Sequence, residues 1–504
     1  MMMKRKRNRI LAVLFLTAAG MVFVFANVQK KTEIVWYLSD PEYFGIDRED
    51  MQPYQEVYAK RFDLFNKRLG KLGIAAKVVF KYLPDSYEAA AKEEEGGFRL
   101  EQELICSGET IQTLLQNDPD ADIAQFSSME YDRFLPLDSY MESEEMQRAQ
   151  EAIPQEIWDV NRINGTTYQI PRGNVCVKEA AYCFQKSFLD QYRVELDEEK
   201  IKKMTPEEVI QWLLPYFEEE RLLEGGYYLT NAAYLDFSDY LLGEYMPVLE
   251  GTTNNLYVHM REKKIADGFS MQRIKDAFAL YQYIYKNNLD AHDSPGSLSA
   301  RPVFTIQNMP GIKQLQGSYD DAEDIVSVPL GNPFLTRSLG NGVFSGSKHK
   351  ELAVQVLAAS VYDEELTNLM IYGVPEEDYV LSNGYAVGKQ QGTLSYMGTF
   401  GAIGNNLIAY PNERETPDKE ERTRNLFHEM QPDLYRNFVP DWDEELLKQM
   451  SRLAAVYQEA VRTLQSSEVP DLEAFMALQQ EKLEEAGRDD VMRKLQEQLD
   501  GWEE

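Results

Sequence analysis

Histidine and cysteine are scarce in this 504-residue chain, with four and three residues. The histidines, His259, His292, His349 and His428, never approach a metal-binding spacing such as HExxH. Cys106, Cys176 and Cys183 are too few for a disulfide framework and lack metal-ligand spacing. Cys176 and Cys183 flank a short stretch, so one disulfide and two separate thiols both stay open. Also missing are a glycine-rich phosphate loop, a GxGxxG turn and a GxSxG nucleophile elbow. Ser345-Gly-Ser-Lys348 matches SxxK, but the SDN and KTG companions are absent, and the stretch reads as a cap-forming turn. Asn117-Asp-Pro-Asp-Ala-Asp122 has the carboxylates of a calcium loop without its glycine and closing glutamate, so it reads as a strand-leading turn. Carboxylates are so abundant that no pair stands out as a glycosidase pair. The expectation is a protein that is not an enzyme and uses no cofactor or metal.

Positive charge is short as well: 52 Lys and Arg face 84 Asp and Glu, a formal net charge of -32. Five of the basic residues, Lys4, Arg5, Lys6, Arg7 and Arg9, sit in the first 26 positions, where no acidic residue occurs. The rest of the chain is therefore more acidic still. It would repel phosphate backbones and anionic lipid heads, which argues against a nucleic-acid partner. Long apolar runs are missing except for the 17 residues Ile10 to Ala26, directly behind that basic head. This is the pattern of an export signal, with the basic head kept in the cytoplasm. Residues 1–31 are read as signal peptide or signal anchor. Val24 and Ala26 offer a cleavage site before Asn27, whereas the near-spanning length favours a retained anchor. No cysteine near its end offers lipid attachment. The remainder is expected on the outer face of the membrane, touching it through this segment only.

The remaining chain is too long for one ordinary core and suits two or three lobes. Glu33 to Leu38 reads as a buried strand, followed by a turn-prone loop, Ser39 to Gly45. A helix with Phe62, Phe65 and Leu69 on one face and a second strand, Ala76 to Tyr82, come next. Asp122 to Phe126 completes an alternation of strands and helices, which predicts a doubly wound, mostly parallel sheet. In such sheets ligands bind beyond the carboxyl ends of the strands. Tyr168-Gln-Ile-Pro-Arg-Gly173 reads as a crossing segment. Further strands are expected at Ala180 to Phe184, Pro302 to Ile306 and Ile325 to Leu330. Helices are expected at Pro206 to Glu219, Met271 to Lys286 and Ser347 to Tyr372, with Ser347 capping the last. Helical spacing returns at Leu446, Met450, Leu453, Tyr457 and Leu464, then at Leu472, Met476 and Leu483, and finally at Val491, Leu495, Leu499 and Trp502. The 30 tyrosines leave enough aromatic surface to line a sugar cleft.

Several stretches, in order, carry a family likeness. Pro136-Leu-Asp-Ser-Tyr140, Trp158 and Ile163-Asn-Gly-Thr-Thr-Tyr-Gln-Ile-Pro171 form one group. Ser347-Lys-His-Lys-Glu-Leu-Ala353, Asn368-Leu-Met-Ile-Tyr-Gly373 with Asp378-Tyr-Val380, and Gly404-Asn-Asn-Leu-Ile-Ala-Tyr410 follow. Lys482-Leu-Glu-Glu-Ala-Gly487 with Gln496 to Trp502 closes the set. Over roughly residues 32 to 502 the chain resembles the bacterial extracellular solute-binding proteins of the carbohydrate-binding family that includes maltose-binding protein. Firmicutes oligosaccharide-binding lipoproteins are the most similar type, apart from the missing lipobox cysteine.

The resemblance implies a two-lobed, type II periplasmic-binding-protein-like α/β fold. Its doubly wound sheets would be joined by a three-crossing hinge, with a helical carboxyl end. Lobe 1 is expected at 32–172 and 330–395, lobe 2 at 173–329 and 396–504. The implied function is a monomeric receptor that captures a carbohydrate or other small solute for ABC permease subunits. A sensor subunit docking on a membrane histidine kinase and an extracytoplasmic hydrolase are the alternatives. By position, Trp36, Tyr43 and Phe44 are candidates for stacking on ligand. Gln125, Ser127 and Arg172 are candidates for hydroxyl contacts, and Asn174 and Tyr228 for contacts from the second lobe.

Overall fold

The structure is a computed structural model. It describes residues 31–38, 51–82, 111, 114–126, 128–172, 177–178, 180–217, 222–223, 227–230, 244–248, 256–287, 301–308, 325–330, 334–335, 337, 340–389, 403–412, 415, 417–430, 435, 437–466 and 468–502. The expected signal segment, Tyr43, Phe44, Ser127, Asn174 and Cys176 lie outside the described residues.

The strands that matter here are β1 (Thr32–Leu38), β2 (Ala76–Tyr82), β3 (Ala121–Gln125), β4 (Ile170–Pro171), β5 (Val177–Lys178) and β6 (Ala180–Gln185). They continue with β7 (Tyr227–Tyr228), β8 (Arg301–Pro302), β9 (Phe304–Asn308), β10 (Ile325–Pro329), β11 (Phe334–Leu335) and β12 (Gly340–Val343). The helices that matter are α1 (Met51–Lys71), α2 (Gln272–Asn287), α3 (Lys350–Tyr362), α4 (Glu364–Tyr372), α5 (Glu444–Ser466), α6 (Leu472–Glu485) and α7 (Arg488–Gly501).

The first sheet has the order β2-β1-β3-β12-β4, with β1 parallel to both β2 and β3. Strand β12 runs against β3 and β4. The second principal sheet, β9-β6-β10, is antiparallel throughout, which corrects the expectation of a doubly wound sheet there. Direction of travel explains both departures. Strand β4 ends where the chain leaves the first sheet, and β12 begins where it returns. Strand β6 begins where the chain enters the second sheet, and β10 ends where it departs. Strands that begin and strands that end at one edge must run in opposite senses.

Two large cores result. One gathers Ile34, Trp36, Phe65, Leu69, Ile123, Val343, Leu357, Met370, Ile403, Leu407 and Phe427. The other gathers Tyr182, Phe188, Phe278, Phe304 and Val328 with Phe438, Leu453, Tyr457, Leu483, Leu495 and Leu499. A smaller cluster on the other face of the first sheet combines Tyr37, Phe126, Phe134 and Phe344 with Val439. Ile403, Leu407 and Phe427, which follow the division expected at 395/396, bury in the first core. Asn405 fixes them there. Its side-chain amide donates to the carbonyls of Ala152 and Val361, each at 3.1 Å, and its backbone N–H donates to Thr367 Oγ1 at 3.2 Å. Met430 still packs on the first core, whereas Tyr435 and Phe438 pack in the second.

The single helix expected from Ser347 to Tyr372 is two, α3 and α4, broken at Asp363. Asp363 leaves the helical region and accepts the N–H of Leu366 at 2.9 Å as an N-cap. Its carboxylate also receives the Arg68 guanidinium, with Nη2 at 2.7 Å, so one residue starts a helix and ties it to α1. Ser347 does not cap α3. Its hydroxyl donates to the buried Asp122 at 2.5 Å and accepts the N–H of His349 at 3.0 Å, because the N-cap position falls two residues further on, at His349.

Candidate functional site

The parallel strands β1, β2 and β3 end at one edge of the first sheet, with Leu38, Tyr82 and Gln125 as their last residues. Register brings two more chain segments to the same edge, since Asn341 pairs with Gln125 and Gly340 with Pro171. Across from it, Ala180 pairs with Asn308 and Ala181 with Pro329, so β6 begins where β9 and β10 end. Between the two edges, β5 and β11 pair antiparallel as a short ribbon, Lys178 opposite Phe334. Ala180 lies eight positions after Arg172, so at most about 28 Å of chain joins the two edges. The carboxyl edge of a largely parallel sheet, facing a second domain across a crossing, is where an α/β architecture offers a ligand cleft.

Close packing of backbone forms the floor of this edge. A Cβ at Gly340 would meet the Ile170 carbonyl at 2.6 Å, and one at Gly342 would meet Phe134 Cδ1 at 2.5 Å. Glycine lets β12 press against β4 and the Phe134 ring. Phe126, just beyond β3, packs tilted against Phe134 at 5.0 Å, and Phe134 stacks against Phe344 at 5.2 Å. The chain then turns through a 3₁₀ segment, Ser128–Arg133, kinked at Glu130.

Glu130 is the unusual group there. It is buried, neither carboxylate oxygen has a hydrogen-bond partner among the described residues, and Arg133 Nε lies 3.2 Å from it. Burial pushes its pKa up to about 8, against a smaller downward pull from Arg133. Tyr131 beside it donates its hydroxyl to Asp441 Oδ1 at 2.9 Å and lies 5.3 Å from the Tyr168 ring. Burial, reinforced by Asp441, pushes the Tyr131 phenol up to about 12.

Gln125 and Arg172, both half-buried, lie at the shared edge. Trp36 does not. Its ring is fully buried, 5.6 Å from Phe80 and 6.4 Å from Phe65, and its indole N–H donates to Asn341 Oδ1 at 3.2 Å. Strand alternation sends it beneath α1 rather than toward the cleft. Tyr228 is also misplaced for a contact. It is buried, and its carbonyl accepts the Val303 N–H at 2.8 Å, at the end of the second sheet remote from the ribbon. Two residues on, toward the ribbon, lies Thr230, fully buried and with its hydroxyl lacking a partner among the described residues. Nothing in the sequence distinguished Thr230, Glu130 or Tyr131, because their value lies in burial and not in residue type.

The sequence motifs that suggested other chemistry disperse. Asp118 accepts the Tyr37 hydroxyl at 2.7 Å and pairs with Lys81, Asp120 pairs with Lys348, and Asp122 accepts the Val35 N–H at 2.9 Å. These carboxylates face different partners and do not converge on a cation. No group of three or more His, Cys, Asp and Glu able to hold a metal occurs among the described residues. Lys348 of the SxxK match is occupied by Asp120 at 2.5 Å. Cys183 is buried in β6 with its Sγ 3.9 Å from the Ala181 carbonyl. No helix among the described residues is long and apolar enough to cross a membrane.

Residues 434–504 match a family described as a domain of unknown function, DUF3502. No curated protein matches the chain. Solved structures match nearly its whole length. An N-glycan transport solute binding protein (NgtS) from Streptococcus pneumoniae is 15% identical with a TM-score of 0.65, the match covering 94% of this chain and 99% of that one. An extracellular solute-binding protein from Bifidobacterium longum subsp. infantis is 11% identical with a TM-score of 0.57, covering 94% and 99%. The S. pneumoniae ABC-transporter substrate binding protein FusA, in complex with kestose, is 11% identical with a TM-score of 0.52, covering 94% and 99%. The chain has the α/β fold of the extracellular solute-binding proteins.

Proposed function

We propose that this chain is an extracytoplasmic solute-binding receptor that captures an oligosaccharide for an ABC importer. The observation that carries the reading is likeness over 94% of the chain to solute-binding proteins, one solved with Man5GlcNAc and another with kestose. The junction between the two sheet edges supplies the place. Gln125 and Arg172 at the first edge are suited to sugar hydroxyls, the guanidinium as a fork of donors. Tyr43, Phe44, Ser127 and Asn174 follow β1, β3 and β4 in sequence and stay in the proposed contact set, while Trp36 and Tyr228 drop out of it. Residues 1–31 would export the chain and hold it at the membrane.

Mechanism follows from differential binding. A ligand that touches both edges favours the arrangement that brings them together, to the extent that it binds that arrangement better. Permease subunits would read that change. The reading is of a receptor and not of an enzyme.

A thermal-shift screen of the exported part against N-glycan fragments, fructo-oligosaccharides, uronate oligosaccharides and peptides tests it. A ligand at a hundred times its Kd adds about 2.7 kcal/mol of stability. Stabilisation by an oligosaccharide supports the proposal. Stabilisation by peptides alone, or hydrolysis of the sugar, overturns it.

A further inference from the structure

The turn Ile163-Asn164-Gly165-Thr166 projects from the first lobe and is closed by reciprocal backbone bonds, Ile163 to Thr166 at 2.8 Å and Thr166 to Ile163 at 2.9 Å. Asn164 and Gly165 both have positive φ, 48° and 77°, the left-handed geometry that Asn-Gly turns favour. The Asn164 side chain makes no bond within its own turn and is taken up by the carboxyl-terminal segment. The Asn164 backbone N–H donates to the Asn437 carbonyl at 3.4 Å and its side-chain amide to the Val439 carbonyl at 3.3 Å. Its side-chain oxygen accepts the Trp502 indole N–H at 2.8 Å. Asn437 returns a bond, donating its amide to the Asp159 carbonyl at 3.0 Å.

The gripping side is itself anchored in the second core. Helix α7 buries Val491, Leu495 and Leu499 there, and Gln496 accepts the Ile265 N–H at 2.8 Å. Arg488, at the start of α7, pairs with the buried Asp267 at 3.2 Å. Gln498 clamps Asp441 through two bonds, accepting its N–H at 2.7 Å and donating to its carbonyl at 3.3 Å. Asp441 in turn holds Tyr131 of the first lobe. Arg337, on the second passage between the cores, donates to the Phe438 carbonyl on the third at 3.2 Å.

We propose that Asn437 to Asp441, helix α7 and Trp502 form a brace between the lobes, and that the Asn164–Trp502 contact sets the interlobe angle. The proposal rests on the receptor reading for its purpose, but its structural content does not need a ligand. Any rotation that separates Asn164 from residues 437–439 and Trp502 breaks this set of bonds together. The brace thus weights the two-lobe equilibrium toward the geometry in which it is made, and ligand must work against or with that bias.

Asn164→Gly keeps the left-handed backbone and removes the side-chain bonds. Trp502→Phe keeps a ring against Tyr435 and Phe438 and removes only the donor. Small-angle X-ray scattering of the unliganded full chain, wild type and each variant, reads the interlobe geometry directly. The expected result is a shift or broadening of the interlobe distance distribution in both variants, with folding retained. Scattering curves superimposable on wild type overturn the brace, and should Asn164→Gly fail to fold, Trp502→Phe at the chain end decides alone. Because the measurement uses no sugar, absence of sugar binding would sink the receptor reading without touching this outcome.

Discussion

At the scale of single residues, the two most telling groups are an indole and a carboxyl. Trp36 packs between Phe65 and Phe80 with its N–H satisfied by Asn341, so it acts as core. Trp36→Ala should cost about 3–5 kcal/mol of stability. Ligand affinity of the surviving folded fraction should stay unchanged, as denaturant unfolding paired with calorimetric titration would measure. Glu130 carries the opposite kind of information. Its carboxyl is held neutral by burial, with a pKa of about 8 in the folded chain against 4.5 as the ordinary value. The folded state therefore binds its proton more tightly than the unfolded one. This contribution to stability is complete below about pH 4.5 and is lost as pH rises through about 8. Melting temperature followed across pH 6 to 9 should fall more steeply in wild type than in Glu130→Gln, and parallel profiles would remove the effect. Neither property was legible beforehand. A tryptophan two residues from a strand end alternates to either face, and one glutamate among 84 acidic residues shows nothing of its burial.

At the scale of elements, periodicity told much of the story. Strands β1, β2, β3, β6 and β10 and helices α1, α2, α5, α6 and α7 lie within a few residues of their apolar patterns. The motifs that carried the family resemblance prove to be builders of the fold. Tyr410 donates its N–H to Asn368 at 2.8 Å, Tyr372 donates its hydroxyl to the Tyr410 carbonyl at 2.6 Å, and Asn405 links Thr367, Ala152 and Val361. They fixed the architecture while saying little about the ligand. What periodicity missed were breaks decided by one side chain. Asp363 interrupts an apolar helical run because its carboxylate caps α4 and binds Arg68 at once. Asp363→Ala should lose about 0.5–2 kcal/mol from the cap alone, and more from the lost ion pair, although Arg68 keeps Glu365 at 2.8 Å. Denaturant unfolding of Asp363→Ala, Arg68→Ala and the double variant should show non-additive losses. Additive losses would mean the two residues act separately.

At the scale of the whole molecule, the path of the chain between two cores is what creates the candidate site. Composition and patterning foretold an acidic α/β body, but not the antiparallel second sheet or the burial of Ile403, Leu407 and Phe427 in the first core, because both depend on where distant segments meet. The segments that start and stop at the shared edges bring Gln125 and Arg172 to one side of a junction no wider than about 28 Å of chain. Calorimetric titration of wild type, Arg172→Ala and Trp36→Ala with the oligosaccharide that stabilises the protein most tests this account directly. Wild type should show saturable one-site binding without turnover. Losing a charged hydrogen bond worth about 1.5–3 kcal/mol should weaken Arg172→Ala roughly ten- to hundredfold, with Trp36→Ala matching wild type. Wild-type affinity in Arg172→Ala together with lost affinity in folded Trp36→Ala would contradict the site, and no saturable heat from any oligosaccharide would contradict the receptor.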